Sequence, residues 1–405
     1  MFLAGLARPL GLAAAVLLGL ATAGCSSSGA ESAAKASCST VGVTSDAVNL
    51  GFVYSDTGVG SEALVSARAG FDARIGLANE EGGINGRKIV YQWRDDENSL
   101  ARDVQVVDEL LRRESVFGLV TVSANLSGSM NTLATQGIPV VGLAAEPAWH
   151  EHQNMFSYNY GASLETVGRD IRASGGSKVA FVASGSSSFT AESAARYTTA
   201  MQSVGLTIAG MVSYSKSTDN PAHVARQLAD TGADALLNLG TPDDFAEIIK
   251  AARAENLNFP VRVSLSGYDR ALLPTAGPAL SGVSFPVYFR PFEAGGAPIE
   301  RYRDAMTRFA PETALPEQQF AMFAYIYTDL FLRGLQLAGD CPTREGFISS
   351  LRKVTDYDAG GLIEKVDLSS NIGKIPDCNA FVQIDPTGRA YQVSHGSLCR
   401  DGRGI

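Results

Sequence analysis

Histidine and tryptophan are scarce in this 405-residue chain, with four and two residues, and no cysteines stand in a C-x-x-C pair. A zinc site of paired cysteines is therefore not expected. His150-Glu151-His152 lacks H-E-x-x-H spacing and reads as a solvated loop. Basic excess is missing as well. Against 42 Asp and Glu stand only 33 Lys and Arg, a net charge of −9, so no face is expected to bind a nucleic-acid backbone. There is no G-x-S-x-G elbow, no Walker G-x-x-x-x-G-K-[ST] and no EF-type calcium loop. Without a nucleophile motif, and with the histidines scattered, we expect no enzyme, no cofactor and no metal. One glycine pattern, Gly58-Val59-Gly60-Ser61-Glu62-Ala63, fits G-x-G-x-x-A between a strand and a helix. A ribose-binding acid should follow about 20 residues on. Asp95 lies 37 residues after Gly58, so these glycines read as a tight turn or a close approach to a ligand.

Long apolar runs are also missing beyond the N-terminus. Phe320 to Leu337 is apolar but carries Asp329 and Arg333, and reads as a buried helix. What the chain does have at its start is Arg8, the apolar run Leu10 to Ala23, and then Thr22-Ala23-Gly24-Cys25. This resembles the lipobox of bacterial lipoproteins. It implies a signal peptide over 1–24, lipidation of Cys25, and an anchor and tether over 25–45 that begins rich in Ser, Ala and Gly. The expected location is the outer face of a bacterial cytoplasmic membrane. Export agrees with the other four cysteines, Cys38, Cys341, Cys378 and Cys399, which permit three pairings. The favoured expectation is Cys341–Cys378, tying the last helical segment to the final strands, with Cys38–Cys399 fastening the two ends.

From residue 48 onward, apolar strands alternate with amphipathic helices. Val48–Tyr54, Lys88–Trp93, Val116–Val122 and Ile138–Leu143 read as strands separated by helices, and the pattern restarts at Lys178–Ala183 and runs to Val261–Leu265. The fold class is α/β, in two lobes of similar build, each a parallel sheet flanked by helices. Segment 283–290 is expected to cross between lobes. Helices are expected near 297–309, 316–338 and 343–352, and a hairpin over 379–393 turning at Pro386-Thr387-Gly388. Ligands in such sheets bind outside the carboxyl ends of the strands. That directs attention to Tyr54–Gly60, Ser123–Ser127, Leu143–Pro147, Ser184–Phe189, Asn238–Thr241 and Ser266–Asp269. Helices begin near Ser127, Phe189 and Pro242, and their free N–H groups could receive a carboxylate or serve only as capped ends.

Gly82-Gly83-Ile84-Asn85-Gly86-Arg87-Lys88 followed by Asp95-Asp96-Glu97 resembles the type I periplasmic-binding fold, and more closely the branched-chain amino-acid-binding family of ABC-importer solute receptors. The resemblance continues through 116–147 and covers most of 46–395 in element order. It implies a two-lobed clamp, with 46–158 plus 290–358 as lobe one and 159–283 plus 364–395 as lobe two. The chain would cross between them near 158, 286 and 361. It implies a small-molecule ligand in the cleft and a membrane permease as partner; a sensor signalling through another protein is the alternative. Carried over residue by residue, the site would be Ser123, Ala144, Glu146, Ser188 with Phe189, Thr241 or Pro242, and Asp269; Tyr54 and Asp56, at the end of the first strand, are further candidates. Glu146 stands where the family usually has Ser or Thr. A carboxylate there would repel a ligand carboxylate and favour a cation, an amide N–H or a hydroxyl.

Overall fold

The computed structural model describes residues 38–404 apart from 59, 160–162, 185–187 and 371–376, and the side chains of 188–190 lie outside the description. The proposed signal peptide and Cys25 fall outside the described residues.

Two sheets organise the chain. The first is built from β1 (Ala47–Tyr54), β2 (Lys88–Asp95), β3 (Leu119–Val122), β4 (Val140–Gly142) and β5 (Met155–Phe156), in the order β2-β1-β3-β4-β5. Every neighbouring pair is parallel. Crossovers are made by α1 (Ala67–Glu80), α2 (Leu100–Arg112) and α3 (Ser127–Thr135). β1 is an interior strand and almost wholly buried, as its apolar run requires of a strand covered on both faces.

The second sheet starts after α4 (Leu164–Ala173). It uses β6 (Lys178–Ser184), α5 (Ser188–Ser203), β7 (Thr207–Tyr214), α6 (Pro221–Asp230), β8 (Ala235–Asn238), α7 (Pro242–Ala254), β9 (Val261–Ser264), α8 (Leu273–Leu280) and β10 (Ser284–Val287). The chain then adds α9 (Ala297–Phe309), α10 (Gln319–Leu337) and α11 (Arg344–Leu351), which pack with the first sheet and α1. It finally returns as β11 (Cys378–Ile384) and β12 (Tyr391–Cys399). The order is β12-β11-β10-β9-β8-β6-β7, with β11 and β12 antiparallel to their neighbours and the rest parallel.

The residues expected to cross between lobes over 283–290 are thus largely a strand of the second sheet. β10 pairs with Val263 on one side and with Ala380 to Gln383 on the other. The chain leaves that sheet just beyond, where Arg290 N–H donates to Leu362 O at 2.6 Å. The expected buried helix is α10, which is apolar on almost every face and buried from Gln319 to Thr328. Among the described residues no helix is long and apolar enough to cross a membrane. The hairpin continues six residues past the expected end, to Cys399.

The glycine-rich turn explains itself in the backbone. Gly82, Gly83, Asn85 and Gly86 all have positive φ, and a Cβ on Gly83 would stand 1.9 Å from Arg87 O. The turn delivers Arg87 to a buried position, where its Nε donates to Thr44 O at 2.7 Å.

Both expected disulfides are corrected. The structure pairs Cys38 with Cys341 and Cys378 with Cys399, in place of Cys341–Cys378 and Cys38–Cys399. The reason is register. β11 and β12 set Cys378 directly opposite Cys399, and the chain ahead of β1 brings Cys38 to the turn that follows α10.

Candidate ligand cleft

The carboxyl ends of the parallel strands carry the loops named from sequence, and their polar side chains are mostly turned to building those loops. Asp95 ends β2. Burial works against its charge, but the Thr57 hydroxyl at 2.6 Å and the N–H groups of Glu97, Thr57 and Asp56 outweigh it, so its pKa is lowered. It thereby holds the loop after β1. Asp96 is fully buried and accepts from Asn98 N–H at 2.9 Å and from the Ser123 hydroxyl. Burial raises its pKa. Ser123 also accepts from Asn125 N–H at 3.0 Å, and the Asn125 amide donates to Asn98 Oδ1 at 2.6 Å. Ser123 is therefore a buried brace between two loops.

Glu146 lies beside it. Its Oε2 accepts from Leu126 N–H at 2.7 Å, and it also takes hydrogen bonds from the hydroxyl and N–H of Ser127. This is the start of α3, so the chain's own carboxylate fills the helix N-terminus that a ligand anion could have used. Burial raises the pKa of Glu146, and Glu192 on α5 pushes the same way. Ala144 is half-buried and packs against the cluster that contains Leu126 and Met130.

Tyr54 closes β1. Its ring stacks with Phe52 at 5.0 Å and tilts onto Trp93, while its hydroxyl meets Asp56 and Arg68. Arg68, on α1, lies 4.3 Å over the Trp93 ring and 3.5 Å from Asp72.

In the second lobe Thr241 caps α7. It accepts from Asp244 N–H at 3.2 Å, and its own N–H donates to the Ser184 hydroxyl oxygen, which in turn donates to Asp244 at 2.7 Å. The N-terminus of α7 is thus also supplied with a carboxylate of the chain. Asp269 accepts from Gln319 N–H at 2.6 Å and so caps α10, tying the second lobe to a helix of the first. Burial pushes its pKa up to about 6, against the pull of that N–H. Ser188 and Phe189 open α5, and their side chains lie outside the described residues.

The structure therefore gathers Tyr54 with Asp56, and Ser123 with Ala144 and Glu146, on the first lobe. Thr241 and Asp269 sit apart on the second, each bound into its own cap. Arg68 and Glu192 went unnoticed in the sequence. Arg68 had one readable signal, its i,i+4 spacing to Asp72. Two hollows border the cleft. A groove of about 850 Å³ runs from Tyr54 and Asp56 between α1 and the segment joining α9 to α10. A cavity of about 220 Å³ lies among Tyr158, Tyr288 and Leu362, where the chain passes between lobes. Among the described residues no cluster of His, Cys, Asp and Glu could hold a metal ion.

Two α/β lobes facing each other across a loop-lined cleft define the class of periplasmic solute-binding proteins of type I. The family model described as periplasmic binding protein matches residues 47–389, and the chain belongs to that family. No curated protein gives a significant match. Among solved structures, the chain is similar to a fatty acid ABC transporter substrate-binding protein from Thermomonospora curvata. That likeness has a TM-score of 0.77 at 19% identity and covers 90% of this chain and 96% of that one. The branched-chain amino acid transporter substrate-binding protein from Streptococcus pneumoniae, solved with isoleucine, gives 0.70 at 15%, covering 85% and 98%. A solute-binding protein from R. palustris solved with benzoate gives 0.70 at 14%, covering 89% and 99%. At these identities the shared feature is the fold.

Proposed function

We propose that the chain is a lipid-anchored extracytoplasmic solute-binding protein. It captures a small polar or amphipathic metabolite between its lobes and hands it to an ABC-type importer in the same membrane. In this reading lobe one is 46–158 plus 290–358, lobe two is 159–283 plus 364–395, and the segments between them act as the hinge on which the lobes close.

One observation carries the reading of the ligand. Glu146 occupies the N-terminus of α3 with a carboxylate of the chain. A ligand carboxylate at this place would meet negative charge and a helix end already filled. A ligand that presents an ammonium, an amide N–H or a hydroxyl meets acceptors instead. In this reading Glu146 receives the head group, Ser123 and Ala144 shape the loops behind it, and Tyr54, Asp56, Ser188, Phe189 and Thr241 are the further candidate contacts. Asp269 acts by holding the lobes together at α10.

The test is a thermal-shift screen of the purified chain against amino acids, amides, polyamines, sugars and aromatic acids. A true ligand at a hundred times its dissociation constant stabilises the fold by about 2.7 kcal/mol. Amines and amides are expected to give the shift. A hit confined to free α-amino acids or aromatic acids would overturn the role given to Glu146, and a panel with no hit would overturn solute capture.

The anchor is tested separately. Cys25→Ser is expected to release the chain from membranes of a bacterial host into the soluble fraction. A variant that stays acylated and sediments with membranes would refute it.

A further inference from the structure

We propose that the groove between α1 and the 309–318 segment is a second part of the ligand site. It takes the apolar arm of an elongated solute whose far tip is an ammonium or a primary amide. This rests on the solute-binding reading above and extends it.

Size comes first. The hollow holds about 850 Å³, near the upper end of the roughly 300–1,000 Å³ found for small-molecule sites. A branched-chain amino acid would leave most of such a space empty. Position comes second. The inner end is made by Tyr54 and Asp56, which belong to the loop at the carboxyl end of β1, and Ala271 of the second lobe also lines it. The groove therefore reaches the carboxyl end of β1 and is touched by both lobes. The walls come third. Val65, Ala69, Phe309 and Leu315 line it, and Val65 and Leu315 are exposed, at 46% and 37%. Large apolar side chains facing each other across an open channel suit methylene groups better than water.

Charge selects the tip. Asp56, Asp72 and Glu312 line the groove against a single cation, Arg68. The Arg68 guanidinium is already held by Asp72, by the Tyr54 hydroxyl and by the face of Trp93. Among the described residues of the lining, an anionic tip would find no uncommitted cation. An ammonium finds Asp56 at the inner end and Glu312 toward the rim. With Glu146 receiving the head, the fitting solute is an apolar chain with a hydrogen-bond donor at each end.

Straight-chain diamines from four to ten carbons, with the dicarboxylates of equal length, test this on the full chain by calorimetry. The ten-carbon diamine is expected to bind more than about tenfold tighter than the four-carbon one, since each buried methylene adds to affinity. Val65→Trp, which fills the groove from an exposed position, is expected to bring that ratio close to one, and Leu315→Trp to do the same from the facing wall. Equal affinity across the series overturns the proposal. So does a ratio unchanged in both variants, or tighter binding of the dicarboxylates. If leucine, benzoate or another solute stabilises the chain while no diamine binds, the groove assignment falls and solute capture stands. If nothing binds, both fall.

Discussion

Gly70→Val is expected to prevent the chain from folding, or to destabilise it by more than about 5 kcal/mol. Gly70 sits in α1 where that helix crosses α10. A Cβ there would stand 1.7 Å from the carbonyl oxygen of Ala321 and 2.5 Å from its carbon. Backbone cannot swing aside as a side-chain tip can. α10 is itself held on its other faces, since Ala321, Phe323, Ala324 and Ile326 are all buried and the helix also packs on β3 and β4. Valine would have to push the two helices apart and break interdigitated packing along both. Gly396 is the control. It lies on β12 with nothing within 4 Å of its Cβ position, so Gly396→Ala should stay within about 1 kcal/mol of the parent. Urea unfolding followed by circular dichroism measures both. A Gly70→Val chain as stable as Gly396→Ala would mean that α1 and α10 do not meet at this point. The same crossing places Arg68 and Ala69 beside the cleft, so the contact that holds the lobe together also sets the groove wall.

Much of this architecture was legible in the residues because periodicity is a local signal. Val48–Tyr54 could only be a strand covered on both faces, and the 297–309 helix was read to the residue. The glycine-rich turn was legible because it needs several positive φ values in a row. Register and capping were not, because their partners are distant in the chain. Cys378 and Cys399 face each other only once β12 is followed to its end. Ending the hairpin at 393 hid that pairing and left the four cysteines open to a wrong one. Glu146 was visible as a misplaced acid in the cleft. That it closes the start of α3 depends on Leu126, twenty residues earlier. Asp269 is expected among the ligand residues, yet its Oδ1 accepts from Gln319, fifty residues later. An acid read from sequence as free for a ligand must first be weighed against every helix end that the fold brings within reach.

The buried acid behind this cleft leads to a pH effect of comparable size. Asp103, on α2, is fully buried and accepts from the Ser129 hydroxyl at 2.5 Å. Burial pushes its pKa up to about 7. The serine works the other way, and the nearby charges of Asp96 and Glu146 add to the rise. In the unfolded chain an aspartate loses its proton near 3.8. Between that value and about 7 the native state binds the proton that the unfolded state has released. Stability contributed by this group is therefore full below about pH 4, falls as the pH rises, and is gone above 7. Three units correspond to about 4 kcal/mol. Asp103→Asn keeps a neutral acceptor for Ser129 and removes the slope. Its chain should match the parent near pH 4 and exceed it by a few kcal/mol at pH 8, by urea unfolding across the range. Parallel profiles for the two chains would show that Asp103 ionises normally in the fold. The consequence reaches the ligand, because Ser129 lies in the first turn of α3, the helix whose start Glu146 closes. Charging Asp103 adds a second carboxylate charge to the surroundings of Glu146. The cleft then becomes more negative as the pH rises through neutrality, which strengthens the hold on a cationic head group and weakens it for an anion. A neutral asparagine at 103 should therefore flatten the pH dependence of amine binding along with that of folding.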